Sequence, residues 1–243
     1  MNIKTDLHCH TLVSTHAYST IQEYVDKANK LGLEMIAITD HGYGIEDSPH
    51  RWHFSEMNSI VPNIIDNVYV LHGVEANIMS HDGNIDISEK ILKSLNWVIA
   101  SYHIHCIEPA SLEEHTNAYL NIMENKYVDV VGHSGSTDFV FDYEKVIKKA
   151  SEYNKIIEIN EKTFSTRKES IENCVKIAKL CKKYGVKITV DSDSHFTSSL
   201  GYYPNSLKML DEIKFPQELV VNLNANRVIE YINQRKNRKN LNI

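Results

Sequence analysis

The stretch Asp6-Leu7-His8-Cys9-His10 holds the first residues whose types and spacing have chemical content. His8 and His10 are two apart, so on an extended backbone both imidazoles leave from one side. Two neutral imidazoles converging at a strand end can present nitrogen lone pairs to one transition-metal ion at about 2 Å. A His-x-His pair by itself is equally at home on an alternating surface strand. Its meaning depends on the other residues of the same kind. Thirteen of the 243 residues are histidine. A subset of them falls with acids at recurring places: His16, His41 after Asp40, Glu75, His103, His133, then Asp193 and His195.

The elements that must position these residues alternate strand and helix. Apolar runs of the buried parallel kind predict strands at Ile3–Leu7, Met35–Thr39, Val68–Val74, Trp97–Ala100, Val128–Gly132, Ile156–Asn160 and Lys187–Val190. Thr20-x-x-Glu23 and Ser111-x-x-Glu114 are capping-box patterns opening helices to Leu31 and Glu124, the first stopped by Gly32. Further helices are predicted near Ser88–Leu95, Tyr143–Tyr153, Lys168–Tyr184 (closed by Gly185), Ser206–Ile213 and Arg227–Gln234, with a long loop holding a short helix around Arg51-Trp52-His53-Phe54. Strands joined by helices imply right-handed crossovers and a parallel sheet. Seven such units predict an α/β fold closed as a barrel rather than an open sheet, and the length fits one large domain or two small ones. Such barrels work at the C-terminal ends of their strands. The histidines and acids above fall there: His8 and His10 after the first strand, His41 after the second, Glu75 after the third, His103, His133, and Asp193 with His195 after the last.

Seven histidines and two carboxylates exceed what one zinc takes, about four ligands. Three ions can share them if a carboxylate bridges two, and Glu75 is the natural bridge because a carboxylate offers two oxygens. Imidazole-rich ligation suits zinc, iron or manganese rather than magnesium or calcium. Asp6 and Asp40 either orient neighbouring histidines or cap strand ends. His115 lies on the apolar face of a helix and reads as a core or interface residue. His50, His53, His72, His81 and His105 lack partner spacing and read as surface or loop residues, with His105 noted because it neighbours His103.

The totals bound the setting. A formal charge of −6 argues against a dedicated nucleic-acid surface. The basic run Arg235-Lys236-Asn237-Arg238-Lys239 reads as a frayed, solvated terminus. Four cysteines without C-x-x-C spacing, no membrane-length apolar run and no signal-peptide pattern lead to the expectation of a reducing, cytoplasmic location.

Asp6-x-His8-x-His10, Thr39-Asp40-His41, Gly73-Val74-Glu75, Ser101-Tyr102-His103, Gly132-His133 and Ser192-Asp193-Ser194-His195 resemble the PHP (polymerase and histidinol phosphatase) superfamily. Ala76-Asn77-Ile78 and Ile157-Glu158-Ile159-Asn160 are similar to its stand-alone YcdX-type phosphatases. The resemblance implies a distorted seven-stranded (β/α)7 barrel, a single domain over residues 1–243, with a trinuclear centre, usually zinc, and phosphatase activity on phosphate monoesters of a small metabolite. It implies one ion on His8, His10, Glu75 and Asp193, a second on Glu75, His103 and His133, and a third on His16, His41 and His195. Hydroxide formed at such ions would attack phosphorus. Glu75, Asp193 and Arg167 are the residues expected to carry catalysis, Arg167 as a phosphate clamp. Arg51 is a weaker clamp candidate, and no side chain stands out as a general acid. Alternatives on the same site are histidinol phosphate or the 3′ ends of nucleic acid. An amidohydrolase-type enzyme is disfavoured because it would carry a lysine where His103 stands. Asp191 departs from the family pattern, either perturbing the site or facing outward.

Overall fold

The computed structural model describes residues 1–235. The strands are β1 (Thr5–Cys9), β2 (Met35–Ile38), β3 (Ile64–Ile65), β4 (Val68–Asn77), β5 (Trp97–Ser101), β6 (Val130–Val131), β7 (Ile156–Asn160) and β8 (Ile188–Asp191). The α-helices are α1 (Ile21–Leu31), α2 (Trp52–Ile60), α3 (Glu89–Leu92), α4 (Leu112–Glu124), α5 (Tyr143–Glu152), α6 (Ile171–Tyr184), α7 (Pro204–Glu212) and α8 (Ala225–Asn233). Seven strands pair in parallel in the order β1-β2-β4-β5-β6-β7-β8. The ends of that sheet meet where His10 N–H donates to Ser194 O (2.8 Å) and Ser194 N–H to His8 O (3.1 Å). The result is the nearly closed (β/α)7 barrel expected from the sequence.

The capping boxes form at Thr20 and Ser111, and Gly32 and Gly185 end α1 and α6 in the left-handed region, as their positions predict. Departures have local causes. The antiparallel β3 was not expected; the turn Asp66-Asn67, with φ of 46° and 67°, folds it back on β4 as a tight hairpin. β6 is shorter than the predicted run because Asp129 gives its side chain, not only its backbone, to the neighbouring strand: Val98 N–H donates to Asp129 Oδ2 at 2.9 Å. The predicted Ser88–Leu95 helix closes after one turn at Leu92.

Apolar side chains fill both sides of the sheet. Leu7, Met35, Leu71, Trp97, Val130 and Ile156 point into the barrel and meet Val228, Tyr231 and Ile232 of α8. That helix therefore plugs the N-terminal end, leaving the C-terminal ends of the strands for chemistry. Arg235 is not frayed: it pairs with Asp129 and its Nη2 donates to Asn96 O at 2.8 Å. The rest of the basic run, 236–239, lies outside the described residues.

Candidate metal centre

β1 delivers the first pair of imidazoles. Its pairing with β2 runs Asp6↔Ile36 and then Cys9↔Ile38, three residues against two, a bulge beside His8 that re-aims the strand end. His8 Nε2 and His10 Nε2 converge to 3.0 Å. Glu75 on β4 puts Oε2 3.4 Å from His8 Nε2 and 3.5 Å from His10 Nε2. Asp193, just after β8, puts Oδ1 3.8 and 3.4 Å from the same two nitrogens. Tetrahedral ligands at about 2 Å from an ion stand about 3.3 Å from one another, so His8 Nε2, His10 Nε2 and Glu75 Oε2 have the spacing of a coordination cage, with Asp193 Oδ1 beside the two nitrogens. The other Glu75 oxygen, Oε1, lies 2.9 Å from His133 Nε2 and 3.5 Å from His103 Nε2. The carboxylate thus faces two clusters, one with each oxygen.

His41 stands between groups. Its Nδ1 is 3.0 Å from Glu75 Oε2, and its ring lies 5.2 Å from that of His16. His195 Nε2 faces His16 Nε2 at 2.7 Å. Among the described residues, donor atoms come within 4.8 Å of one another in three groups: His8-His10-Glu75, His41-Glu75-His103 and His10-His41-His195. The buried Nδ1 atoms of His10 and His41 have no hydrogen-bond partner. Imidazole nitrogens facing buried carboxylates, as His8 Nε2, His10 Nε2 and the unpartnered His41 Nδ1 do, are the donor set that divalent cations of the zinc type satisfy.

Electrostatics favours a cation in the same place. Burial opposes charge on His8, yet Glu158, Glu75 and Asp193 outweigh it and hold the imidazole well above its usual range. Burial also opposes ionisation of Glu75, but His8 and His103 hold it well below the carboxylate range. Asp193 is likewise held low, by Lys162 and His8 against its burial. Burial, with His41 nearby, drives His10 well down, and burial with Arg167 lowers His133, so the site disfavours a proton's charge on either ring.

Supports behind the imidazoles are the residues that spacing did not reveal. Glu158, on β7, takes His8 Nδ1 at 2.5 Å through Oε1 and the His133 N–H at 2.7 Å through Oε2. Asn77 Oδ1 takes His103 Nδ1 at 2.6 Å, and Asp47 takes His16 Nδ1. The three ring contacts, on His8, His103 and His16, turn the opposite nitrogen of each toward the cluster. A carboxylate inside the apolar run Ile157–Ile159 was the visible signal for Glu158; Asp47 and Lys162 carried none. Asp6 and Asp40 touch no clustered imidazole. Asp6 accepts from Ser192 N–H (3.1 Å) and Gly201 N–H (2.8 Å), and Asp40 from Thr11 N–H (2.7 Å) and Ser14 Oγ (2.8 Å), so both tie strand-end loops. Asp191 does not face outward: it is buried beneath the cluster, accepts from Leu7 N–H at 2.8 Å, and is pushed well up by burial, Glu158 and Asp6.

The other histidines divide. His115 is buried on α4, as its apolar face predicts. His72 is buried on β4, against the expectation of a surface residue, because both faces of that strand are covered. His53 is half-buried and meets Asp40 Oδ2 at 3.1 Å. His105 lines the cavity over the cluster. That cavity encloses about 820 Å³, with Glu75, Asp193, Lys162 and Arg167 on its walls and Glu46 and Asp47 at its rim. Arg167 reaches it by donating from Nη2 to Asn160 Oδ1 (2.8 Å) and Asp193 Oδ2 (3.2 Å). Arg51 lines a separate groove with Trp52 and Lys90.

Residues 6–172 match the PHP domain. The chain belongs to the PHP domain family. A probable phosphatase of Acetivibrio thermocellus is 44% identical over 238 residues, covering 98% of each chain. A probable phosphatase of Clostridium botulinum is 43% identical over 243 residues, covering both chains completely. Among solved structures, the PHP barrel is similar to histidinol phosphate phosphatase from Lactococcus lactis, crystallised with zinc, L-histidinol and phosphate: TM-score 0.65, 18% identity, 89% of this chain and 95% of that one. At that identity the likeness speaks to fold. In this PHP-family chain, His133 and Asp193 have positive φ, 24° and 54°. Left-handed backbone at non-glycine residues is costly; of the six instances among the described residues, these two sit at the cluster.

Proposed function

We propose that this PHP-family phosphatase is metal-dependent and hydrolyses phosphate monoesters of a small metabolite. His8, His10, Glu75 and Asp193 would hold one divalent ion, Glu75, His103 and His133 a second, and His16, His41 and His195 a third, with zinc the expected metal. The observation that carries this reading is the meeting of His8 Nε2, His10 Nε2 and Glu75 Oε2 at separations of 3.0 to 3.5 Å, with Asp193 Oδ1 3.4 to 3.8 Å from the two nitrogens. Such ions lower the pKa of a water toward about 7 and neutralise charge on phosphoryl oxygens.

The chain's own groups do the rest. Glu158, Asn77 and Asp47 fix which nitrogen each histidine presents. Glu75, Asp193 and Arg167 are the proposed catalytic residues, Glu75 as the ligand shared by two ions, Asp193 as a ligand of the first, and Arg167 as the donor to a phosphoryl oxygen. A guanidinium suits that task because its planar fork matches two phosphate oxygens. A cavity of about 820 Å³ has room for a phosphorylated metabolite. Acidic Glu46 and Asp47 at its rim, with a net charge of −6, disfavour the 3′-exonuclease alternative.

A screen of phosphorylated metabolites tests the reading, run on protein of known zinc and manganese content, with histidinol phosphate and a 3′-labelled oligonucleotide as separate arms. Release of inorganic phosphate from small monoesters is expected. No release by fully loaded protein from any ester would overturn it.

A further inference from the structure

The 3₁₀ turn after β7 carries Lys162, a residue no motif singled out. Its ammonium lies 2.6 Å from His195 Nδ1 and 3.2 Å from Asp193 Oδ1, half-buried on the cavity wall beside Arg167. His195 Nδ1 has a second neighbour, the backbone carbonyl of Asp193 at 3.0 Å. The two make opposite demands. An ammonium only donates, so its partner nitrogen must be bare; a carbonyl only accepts, so its partner must carry hydrogen.

With Lys162 in place, one consistent chain of donors follows. Lys162 donates to His195 Nδ1, His195 Nε2–H donates to His16 Nε2 at 2.7 Å, and His16 Nδ1–H donates to Asp47. In that order His195 Nε2 carries hydrogen and has no lone pair for a cation. For His195 to ligate through Nε2, its hydrogen must move to Nδ1, where the Asp193 carbonyl accepts it. Lys162 must then leave, since two donors cannot face each other at 2.6 Å. It would also be leaving a site where a second cation repels it.

We propose that Lys162 is a built-in competitor for the outermost ion: it holds His195 in the non-ligating tautomer, yields to an ion there, and is thereby released to bind a phosphoryl oxygen beside Arg167. This rests on the metal-dependent reading above. It makes occupation of the His16–His195 end of the centre and substrate binding two consequences of one side-chain movement.

Lys162→Met keeps the stem and removes the charge. The backbone contacts of residue 162, its N–H to Asn160 Oδ1 and its carbonyl from Thr166 N–H, do not involve the side chain. Stripped wild type and K162M are titrated with zinc against a chromophoric chelator, and the zinc-loaded proteins with inorganic phosphate by calorimetry. The last zinc is expected to bind K162M at least tenfold tighter, and phosphate to bind loaded K162M at least tenfold more weakly. Lys162→Arg, which keeps the charge, is expected to stay near wild type in both. Unchanged zinc affinity in K162M, unchanged phosphate affinity, or K162R behaving as K162M would each overturn the proposal. Wild type that binds no zinc would instead bring down the metal-dependent reading itself, so the two failures are distinguishable.

Discussion

Glu158 is the residue on which most of the cluster leans. One oxygen fixes His8 and the other the backbone of His133, so it positions both inner groups from behind. Glu158→Gln keeps the shape and removes the charge that sets the His8 tautomer. Zinc affinity is expected to fall roughly 10- to 100-fold with the fold retained, read by chelator competition beside circular dichroism. Arg167 is predicted to act on substrate instead: Arg167→Ala should leave zinc content unchanged and lower kcat/KM roughly 10- to 100-fold, the loss of one charge-assisted hydrogen bond. A drop in zinc content to match would move Arg167 from binding phosphate to holding Asp193. At this scale the sequence was informative for residues at strand ends, because strand position converts directly into convergence. It was silent on Asp47 and Lys162, whose approach is set by the path of long loops, and only hinted at Glu158 through a charge inside an apolar strand.

Strands and helices set how those residues meet, and β4 supplies a test of its own. It carries Glu75 at its far end and His72 in its middle. His72 is buried against α2, with Nδ1 2.5 Å from Asn58 Oδ1 and no partner on Nε2. Burial lowers its pKa to about 4. As pH falls, the unfolded chain takes up this proton first, near 6.5, while the folded chain resists until about 4. The stabilising contribution is therefore complete above about pH 6.5 and is lost progressively on the way down to about 4, up to roughly 3 kcal/mol for a shift of that size. His72→Leu should flatten that limb: the stability difference between wild type and variant, from urea melts of metal-free protein, should move toward the variant as pH drops. A difference independent of pH would contradict it. Gly132, at the end of β6, is a second element-level test. A Cβ there would lie 2.2 Å from Ser101 Oγ and 2.7 Å from Ile99 Cγ2, so Gly132→Ala should cost roughly 1–3 kcal/mol in thermal or urea melts. Element order and type were legible because buried parallel strands read as unbroken apolar runs. The β1 bulge and the left-handed backbone at His133 and Asp193 were not, since they follow from closing the barrel rather than from local pattern, and β3 is two residues long, too short a run to read as a strand.

The whole molecule is a barrel open for chemistry at one end and plugged by α8 at the other. α8 packs Val228 and Ile232 against residues from β1, β2, β4, β5 and β7. Because that one contact ties early and late strands together, we propose that the chain unfolds as a single unit. Calorimetry should give one transition, shifted upward by zinc in proportion to occupancy; two separable transitions would contradict it. The barrel brings together imidazoles and acids that lie up to 187 positions apart, from His8 to His195, which is why no single segment could have revealed the centre. The most direct test is an anomalous-difference map at the zinc edge from crystals of zinc-loaded protein. Three peaks are predicted, each about 2 Å from its donors: one among His8, His10, Glu75 and Asp193, one among Glu75, His103 and His133, and one among His16, His41 and His195. A map with no peak among these side chains, from protein that hydrolyses phosphate esters, would contradict the account.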